Sequence, residues 1–497
     1  MNLFAPNATD FYKTSHKKMF PLGTTKVYSN LTPRSDKWFS GLEDFDHKVV
    51  FYGLQGVLLE LNDLWNDSFF YQEKDYVIRK YKRRMDASLG EGTVDVKCFE
   101  DLHDLGYLPI KVKALPEGSR VNIKVPVFTI VNTHPEFFWL TNYLETQLSA
   151  MLWKPMTTAT TAHEYRRLFE KYAALTGAPE WFIDWQGHDF SARGMSGIED
   201  AARSGSGHLL SFSGTDTISA IDYADDYYGI NDLAFGSVPA SEHAVMSMGG
   251  KESEIDTFTR LLELFPKGIL SVVSDTWDFW QVITEYSVTL KDKILSRDGK
   301  LVFRPDSGDP VKIIVGDPDA EIGTPAWYGA VECLWKIFGG SISEVGEYKV
   351  YKVLDSHVGL IYGDSITIDR AKKILEGLEK KGFASNNIVF GIGSYTYQMC
   401  SRDTLGTAVK ATYGEVNGEP RELFKAPKTD SGTKNSARGL LRVEKQGDDF
   451  VLYDQQTGEQ EMQGELRKIF EDGQFYNRES FDQIKSRLKD AGVLSHQ

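Results

Sequence analysis

The sequence lacks any long apolar run, and none of its stretches approaches the length that a membrane span requires. The first ten residues hold neither a basic n-region nor an apolar h-region, so we expect no signal peptide and no transmembrane helix. Cysteine is scarce. Cys98, Cys333 and Cys400 are odd in number and far apart, which excludes a zinc-binding spacing and a disulfide framework. A reducing cytoplasm is the expected location.

An excess of positive charge is also lacking, because 71 Asp and Glu residues outnumber 56 Lys and Arg residues and give a net charge of −15. This balance argues against a protein that binds nucleic acid through a global basic field. Three nucleotide-binding signatures are missing as well. The sequence has no Walker A motif, the turn Gly391–Ser394 lacks the third glycine of a dinucleotide fingerprint, and the pair Asp225–Asp226 does not end an aliphatic run. What remains is an ordinary globular composition over 497 residues, enough for two or three domains.

Four short apolar runs between residues 271 and 394 share one pattern, in which each run ends in an acidic residue or a glycine. The runs are Ser271–Asp275, Leu301–Gly308, Val358–Asp364 and Ile388–Ser394. Runs rich in Val, Ile and Leu without alternation predict strands that are buried on both faces, as in a parallel sheet. Residues 365–381 predict an amphipathic helix that is capped by Gly382. The pattern is typical of an α/β barrel or a doubly wound sheet.

In both of these folds, ligands bind at the carboxyl ends of the strands. Here those ends carry Asp275, Arg304, Asp306, Asp364 and the turn Gly391–Ser394. The set predicts one pocket for a phosphorylated, hydroxyl-rich ligand that is bound with Mg²⁺, since carboxylate oxygens suit this ion. At any single strand end, an Asp that caps a helix or a Gly that forms a turn is the alternative. Four ends with complementary chemistry favour the pocket.

Three further motifs carry candidate site residues. Phe190 lies three residues before Arg193, so this pair is either a ring that stacks on a heteroaromatic ligand beside a guanidinium that binds phosphate, or a buried Phe beside a surface Arg. Asp216 follows a tight turn and is either a hydrogen-bond acceptor for a ligand or a helix cap. His243, beside Glu242, is either a nucleophile or base or a structural residue.

The remaining chain predicts a second, mixed domain. Strands are expected at 26–34, 109–114 and 125–131, and helices at 49–84, 135–153 and 157–172. The basic residues Arg402, Lys410 and Lys425 either bind phosphate or form a solvated face. We expect a barrel-like domain over 155–405 and a discontinuous α+β domain formed by 1–154 and 406–497.

Taken in order, these motifs resemble the nicotinamide phosphoribosyltransferase family, of the type II phosphoribosyltransferases, nearly end to end. The matching stretches are Ala8–Lys13, Lys26–Ser29, Val50–Gln55, Trp139–Asn142, His188–Phe190, Gly214–Thr217, Ser237–Ala240, Glu242–His243, Ser271–Asp275, Arg304–Gly308, Gly363–Asp364 and Arg402–Asp403. The resemblance implies an irregular α/β barrel beside a mixed α+β domain. It also implies a cytoplasmic homodimer with active sites at the subunit interface. The implied enzyme is a pentosyltransferase of NAD biosynthesis, which joins nicotinamide to 5-phosphoribosyl 1-diphosphate and releases nicotinamide mononucleotide and diphosphate.

The resemblance also implies residue roles. Phe190 and the partner subunit's Tyr12 would enclose the pyridine ring, and Asp216 would accept from the carboxamide. The phosphoribosyl group would meet Ser271, Arg304, Asp306, Gly363, Asp364, Gly393 and Ser394. The diphosphate and ATP would meet Arg34, Arg193, Arg402, Lys410 and Lys425. Mg²⁺ would bind Asp275 and Asp306, and ATP would phosphorylate His243.

Two departures from the family pattern stand in the sequence. Ser191-Ala192-Arg193 replaces the usual Gly-Tyr-Arg after the stacking Phe, and Ser394 replaces a glycine. Because the pyridine nitrogen carries no proton to remove, we expect catalysis by positioning and electrostatic stabilisation rather than by a general base. The alternatives are a nicotinate phosphoribosyltransferase of the same fold and a catalytically silent nucleotide-binding or signalling homologue.

Overall fold

The computed structural model describes residues 3–39, 42, 45–363, 365–425 and 437–492. The chain forms two compact units. Unit 1 comprises Met1–Thr160, Tyr223–Asp232 and Cys400–Gln497, and unit 2 comprises Thr161–Asp222 and Leu233–Met399. None of the helices that the structure describes combines the length and the apolar character needed to cross a membrane.

The strands, in chain order, are β1 (Thr24–Thr32), β2 (Lys48–Val50), β3 (Ile110–Ala114), β4 (Arg120–Asn122), β5 (Phe128–Asn132), β6 (Gly187–Asp189), β7 (Gly214–Thr215), β8 (Lys267–Val273), β9 (Asp298–Arg304), β10 (Gly340–Val345), β11 (Lys349–Leu354), β12 (Val358–Tyr362), β13 (Val389–Ile392), β14 (Ala408–Val416), β15 (Glu419–Glu422), β16 (Leu440–Gln446), β17 (Asp449–Gln456), β18 (Arg467–Glu471) and β19 (Gln474–Phe475).

The helices, in chain order, are α1 (His16–Met19), α2 (Leu54–Trp65), α3 (Lys74–Leu89), α4 (Lys97–Leu105), α5 (Leu140–Tyr143), α6 (Glu145–Thr176), α7 (Glu180–Gln186), α8 (Ile198–Leu209), α9 (Ile218–Tyr228), α10 (His243–Ser247), α11 (Glu254–Leu264), α12 (Phe279–Gln281), α13 (Ser287–Thr289), α14 (Lys291–Leu295), α15 (Pro310–Val315), α16 (Pro325–Tyr328), α17 (Ala330–Phe338), α18 (Ile368–Lys380), α19 (Ser394–Tyr397), α20 (Gly458–Glu461) and α21 (Phe481–Gly492).

Unit 1 is built on a seven-stranded antiparallel sheet in the order β15-β14-β1-β5-β3-β18-β19. β1 lies near its centre and pairs with β5 on one side and β14 on the other. Two smaller pairs, β2–β4 and β16–β17, belong to the same unit. The core is aromatic-rich, with Trp65, Phe99 and Phe128 almost fully buried.

Unit 2 is built on a six-stranded parallel sheet in the order β7-β6-β13-β12-β9-β8. The extended segment 236–241, which we call the bridging segment, pairs in parallel with both edges of this sheet. Gly236 bridges to Gly214 of β7, and Ala240 bridges to Ser271 of β8. The sheet therefore closes into an irregular α/β barrel, as the sequence predicted.

The four predicted runs are confirmed as the adjacent parallel strands β13, β12, β9 and β8. The predicted helix after the third run is α18. It buries Ala371, Ile374, Leu375 and Leu378, and the Thr367 side chain caps its start. Gly382 follows the helix at a φ of +74°, a conformation that glycine adopts without strain.

Three helix predictions in the amino-terminal region were wrong in their bounds. Val49 and Val50 belong to strand β2, because they pair with β4, and the helix begins only at Leu54. The helices predicted at 135–153 and 157–172 are replaced by α5 and the single 32-residue helix α6. Pro155 lies inside α6.

The compact units differ slightly from the expected domain bounds. The segment Tyr223–Asp232 was expected in the barrel-like domain, because it lies within residues 155–405. It belongs to unit 1 instead. Two hydrogen bonds explain this placement, because the Tyr223 hydroxyl donates to Glu60 and the Tyr228 hydroxyl donates to the buried Glu117.

Candidate active site

The candidate residues of unit 2 lie at the carboxyl ends of its parallel strands. Each follows, or ends, one strand of the barrel. Phe190 follows β6, Asp216 follows β7, Asp275 follows β8, Arg304 and Asp306 end and follow β9, Gly363 follows β12, and Gly393 and Ser394 follow β13. Parallel pairing places these strand ends at one rim. Asp364 lies outside the described residues.

Asp216 accepts two hydrogen bonds at one rim position. Its Oδ1 lies 2.9 Å from Nε2 of His188 and 2.5 Å from Oγ of Ser237. Burial alone would raise the pKa of Asp216, but the hydrogen bonds from His188 and Ser237, with the positive charge of Arg304, hold the pKa below its ordinary value. The carboxylate is therefore charged near neutral pH, and its side chain is 43% exposed.

The buried Asp189 fixes the two turns on which Phe190 and Asp216 lie. One carboxylate oxygen accepts from the Ser191 amide at 2.9 Å, and the other accepts from the Thr217 hydroxyl at 2.7 Å. The Asp189 carbonyl also accepts from the Asp216 amide at 2.9 Å. The turn that carries Phe190 and the turn that carries Asp216 are thus both hydrogen-bonded to the buried Asp189.

The Phe190 ring lies against two strand ends that are glycines. A Cβ on Gly391 would lie 2.5 Å from Cδ2 of Phe190 and 2.8 Å from Cα of Gly363. A Cβ on Gly363 would lie 2.7 Å from a carboxylate oxygen of Asp306. Glycine at both positions is what lets the aromatic ring, the Asp306 carboxylate and the backbone approach each other. The His188 ring completes the group, with its centroid 4.7 Å from that of Phe190.

Asp275 and Asp306 adjoin each other at the ends of β8 and β9. Oδ2 of Asp275 accepts from the Asp306 amide at 2.9 Å and from the Ser307 hydroxyl at 2.6 Å. Oδ1 of Asp275 is buried and accepts no hydrogen bond from the described residues. A buried carboxylate oxygen without a donor suits a cation, so the pair fits Mg²⁺. The described residues contain no cluster of three or more His, Cys, Asp or Glu that could hold a metal ion.

His243 stands at the start of α10, and its side chain is 52% exposed. Its Nε2 lies 3.9 Å from the Asp275 carboxylate, and its Nδ1 lies 3.3 Å from the Thr276 hydroxyl. The imidazole ring of His243 therefore faces the carboxylate of Asp275, which is distant in sequence. Glu242 is its neighbour along the chain. The ring is open to a ligand.

Arg304 reaches across the rim to the bridging segment. Its Nη2 donates to the Ser241 carbonyl at 2.8 Å, and its buried Nε has no hydrogen-bond partner among the described residues. Ser271 also holds the bridging segment, through its backbone. Its amide donates to the Pro239 carbonyl, and its carbonyl accepts from the Ser241 amide. A guanidinium nitrogen without a partner is available to an anionic group.

Arg193 and Ser394 lie on adjoining turns. Gly194 packs directly on the Ser394 hydroxymethyl group, so a Cβ at residue 194 would overlap it. The glycine thus makes room for the serine that departs from the family pattern. Arg193 itself is exposed. Gly393, in contrast, has open space around it.

The candidate residues of unit 1 are all exposed. Tyr12, on a 3₁₀ turn, is 58% exposed. The Arg34 amide and side chain donate to the backbone of residues 405–406, in the loop between Arg402 and β14, and Lys410 pairs with Asn30 across β1 and β14. Lys425 is exposed beyond β15.

Sequence reasoning missed His188, Ser237, Asp189 and Thr276 as parts of the rim. His188, Asp189 and Ser237 lie inside motifs of the sequence, but those motifs assign no role to their side chains. Their long-range contacts join residues 21 to 33 positions apart, such as His188 and Asp216. A local pattern contains no signal for such pairs. The parallel pairing of β6 and β7 brings His188 and Asp216 together.

Comparisons with known proteins identify relatives along the whole chain. A model of the nicotinate phosphoribosyltransferase (NAPRTase) family matches residues 185–474, and a model of the nicotinamide phosphoribosyltransferase N-terminal domain matches residues 5–66. The nicotinamide phosphoribosyltransferase of Acinetobacter baylyi is 60% identical over 97% of this chain and 96% of its own. That of Mycoplasma pneumoniae is 35% identical over 87% of this chain and 94% of its own.

Solved structures support the fold. The nicotinate-nucleotide pyrophosphorylase of Pyrococcus furiosus superposes with a TM-score of 0.57 at 15% identity, over 99% of this chain and 96% of that one. The human nicotinic acid phosphoribosyltransferase gives a TM-score of 0.57 at 14% identity, over 97% and 93% of the two chains. The architecture is therefore that of the type II phosphoribosyltransferases.

Proposed function

The chain belongs to the nicotinamide phosphoribosyltransferase family, and from this premise we propose that it transfers the 5-phosphoribosyl group of 5-phosphoribosyl 1-diphosphate to nicotinamide. The products are nicotinamide mononucleotide and diphosphate, and the reaction is a salvage step of NAD biosynthesis. The observation that carries the proposal is the 60% identity to the Acinetobacter baylyi enzyme of this name over 97% of the chain. The rim of unit 2 supports it with the matching chemistry.

The charged Asp216 supports the amide rather than the acid as substrate. A carboxylate accepts from the carboxamide N–H₂, and it repels the carboxylate of nicotinic acid. His188 and Ser237 already donate to the same oxygen of Asp216, which leaves the other oxygen for the ligand. Phe190 offers a ring face for the pyridine, held in place by the glycines beside it.

The chemical step that we propose is displacement at the anomeric carbon of the ribose, through a transition state that resembles an oxocarbenium ion. The pyridine nitrogen attacks with its lone pair, so this chain needs to supply no general base. The residues of the rim hold the two reactants in line and exclude water. Arg304, with a buried nitrogen that has no partner among the described residues, binds an anionic group of the phosphoribosyl substrate. The proposed phosphoribosyl site also includes Arg193, Ser271, Gly363, Gly393 and Ser394. Asp364, which lies outside the described residues, is proposed as a further member.

Mg²⁺ is the proposed metal, and Asp275 and Asp306 would hold it. Oδ1 of Asp275 is buried without a hydrogen-bond donor among the described residues, as a carboxylate that awaits a cation would be. When bound with substrate phosphates, the ion neutralises charge that develops on the departing diphosphate. The Asp306 amide and the Ser307 hydroxyl keep the Asp275 carboxylate in position by donating to its other oxygen.

ATP is the proposed co-substrate, and His243 is the proposed phosphoryl acceptor. Imidazole attacks without first losing a proton, which suits phosphoryl capture near neutral pH. The ring is half-exposed, and Asp275 and Thr276 lie on its two nitrogen sides. ATP hydrolysis through this residue would stimulate synthesis, while the displacement itself does not involve His243.

A homodimer with shared active sites is the proposed assembly. Tyr12, Arg34, Arg402, Lys410 and Lys425 are exposed on unit 1, where they are available to the active site of a second copy. Tyr12 would cover the free face of the nicotinamide ring, and the cations would bind diphosphate or ATP. None of the three cysteines, all of which are described, forms a disulfide, and the cytoplasm is the location that we propose.

One assay separates this function from its alternatives. The purified protein is incubated with labelled nicotinamide or nicotinic acid, 5-phosphoribosyl 1-diphosphate and Mg²⁺, with and without ATP. Nicotinamide mononucleotide as the preferred product supports the proposal. Preferential nicotinate mononucleotide assigns the nicotinate enzyme of the same fold, and the absence of either product assigns a silent homologue.

A further inference from the structure

A chain of buried polar side chains runs behind the strand ends of unit 2. His208, the penultimate residue of α8, is fully buried, and Tyr397, the last residue of α19, is 1% exposed. Nδ1 of His208 lies 2.7 Å from the Tyr397 hydroxyl, and Nε2 lies 3.0 Å from the Gly214 carbonyl oxygen. The mechanism proposed above uses neither side chain.

The direction of these hydrogen bonds follows from the partner groups. A carbonyl oxygen only accepts, so Nε2 of His208 carries a hydrogen and donates to Gly214. In a neutral imidazole, Nδ1 then accepts from the Tyr397 hydroxyl. The Tyr397 hydroxyl, the His208 ring and the Gly214 carbonyl are thus joined by two hydrogen bonds. We call this series of hydrogen bonds the relay.

The two ends of the relay attach to turns that carry proposed substrate contacts. Gly214 begins β7 and lies two residues before Asp216, so the hydrogen bond to its carbonyl fixes the short strand that leads into the Asp216 turn. Tyr397 ends the short helix that begins with Ser394. Beside it, the Thr396 and Tyr165 hydroxyls both donate to the Ile366 carbonyl, at 2.8 and 2.7 Å, in the loop after β12.

We propose that His208 is a positioning residue, which with Tyr397 holds the Asp216 turn in a fixed relation to the Ser394 turn. The inference rests on the proposed function for its kinetic consequence, because these turns face nicotinamide and the phosphoribosyl group. If one hydrogen bond of the relay is cut, the turn on that side loses a buried contact and relaxes. The substrate that this turn faces must then be aligned at the moment of binding, which costs affinity and raises mainly the KM of that substrate.

Two substitutions separate the halves of the relay. His208→Gln places an amide nitrogen near the position of Nε2 and keeps the donor to Gly214. His208→Asn places an amide oxygen near the position of Nδ1 and keeps the acceptor for Tyr397. Loss of one buried hydrogen bond changes an equilibrium by roughly tenfold. We therefore expect His208→Asn to raise the nicotinamide KM about tenfold, and His208→Gln to leave it within about twofold.

Tyr397→Phe removes one oxygen from the other end of the relay and keeps the ring. It should raise the KM for the phosphoribosyl donor more than the KM for nicotinamide. Tyr81→Phe is the matched control, since Tyr81 is also fully buried, in unit 1, with its hydroxyl 3.4 Å from that of Tyr143. Wild-type KM values in this control are expected.

Coupling between residues distinguishes positioning from general loss of stability. If His208 acts through the Asp216 turn, the double variant His208→Asn, Asp216→Asn should raise the nicotinamide KM by less than the product of the single effects. Multiplicative effects, or equal KM changes in the Gln and Asn variants, would overturn the proposal.

Hydrogen exchange tests the relay without any substrate, so its outcome does not depend on the proposed function. We expect faster amide exchange at residues 213–217 in His208→Asn, and at residues 394–398 in Tyr397→Phe, with unchanged exchange in β1 as the control. Unchanged exchange at both turns in folded variants would refute the relay even if the enzyme is active. If His208 variants do not fold, Tyr397→Phe still decides the matter.

Discussion

Replacing Asp216 by Asn tests whether one charge selects nicotinamide over nicotinic acid. The substitution removes the charge and keeps the size of the side chain. Its remaining carbonyl oxygen still accepts from His188 or from a carboxamide. Because the pKa of Asp216 is lowered by its hydrogen bonds, the wild-type residue is charged across the working pH range, and nicotinic acid is ionised there as well.

The size of the effect follows from Coulomb's law. Two unit charges about 4 Å apart repel by about 4 kcal/mol at an effective dielectric constant of about 20. The Asp216 side chain is 43% exposed, and Arg304 offsets part of its field. We therefore discount the repulsion by about half, to about 2 kcal/mol, for solvent screening. This corresponds to roughly a 30-fold fall in the preference ratio.

The assay measures kcat/KM for both substrates in the wild type and in Asp216→Asn. Asp222→Asn, an exposed charge on α9 six residues away, is the matched control and should leave the ratio unchanged. The wild-type ratio should also be flat between about pH 6 and 8, because the Asp216 charge is constant there. An unchanged ratio in Asp216→Asn, with measurable activity, would show that another group excludes the acid.

Three further predictions concern other parts of the site. His243→Ala should abolish ATP hydrolysis and ATP stimulation while a basal transfer remains, and an ATP-stimulated rate in the folded variant would exclude a phosphohistidine. Mixing inactive Tyr12→Ala and Asp306→Ala chains should restore activity in heterodimers, whereas no recovery after demonstrated subunit exchange would mean that each chain builds its site alone. Gly391→Ala should raise the nicotinamide KM about tenfold, since its Cβ would meet Phe190 and the Gly363 backbone and cost at least about 1.4 kcal/mol in binding. Gly236→Ala, where a Cβ has open space, is the control, and equal KM values in the two variants would contradict the steric argument.

Much of the barrel could be predicted because its signals are local. Buried parallel strands read as continuous apolar runs, and each run ended at a residue with binding chemistry. α18 was predictable because its apolar face and its closing glycine all lie within one short stretch.

The failures have a common physical cause, which is pairing over long sequence distances. The apolar run that follows Val49 and Val50 predicts that they belong to a helix. They form a strand instead, because they pair with β4. The helix start is then set by Gly53, at a φ of +106°. His188 could not be assigned to Asp216 for the same reason, because the barrel rather than the local sequence brings them within 2.9 Å.

The sheet registers also determine when the protein can fold during its synthesis. β1 pairs with β14, so Thr24 meets Val416, and β6 pairs with β13, so Gly187 meets Phe390. At about 5–20 residues per second, β1 leaves the ribosome roughly 20 to 80 s before its partner exists. Neither sheet can be completed until most of the chain has been made. Until then, an unpaired strand edge from the amino-terminal region is exposed to other nascent chains, which is an aggregation hazard during translation.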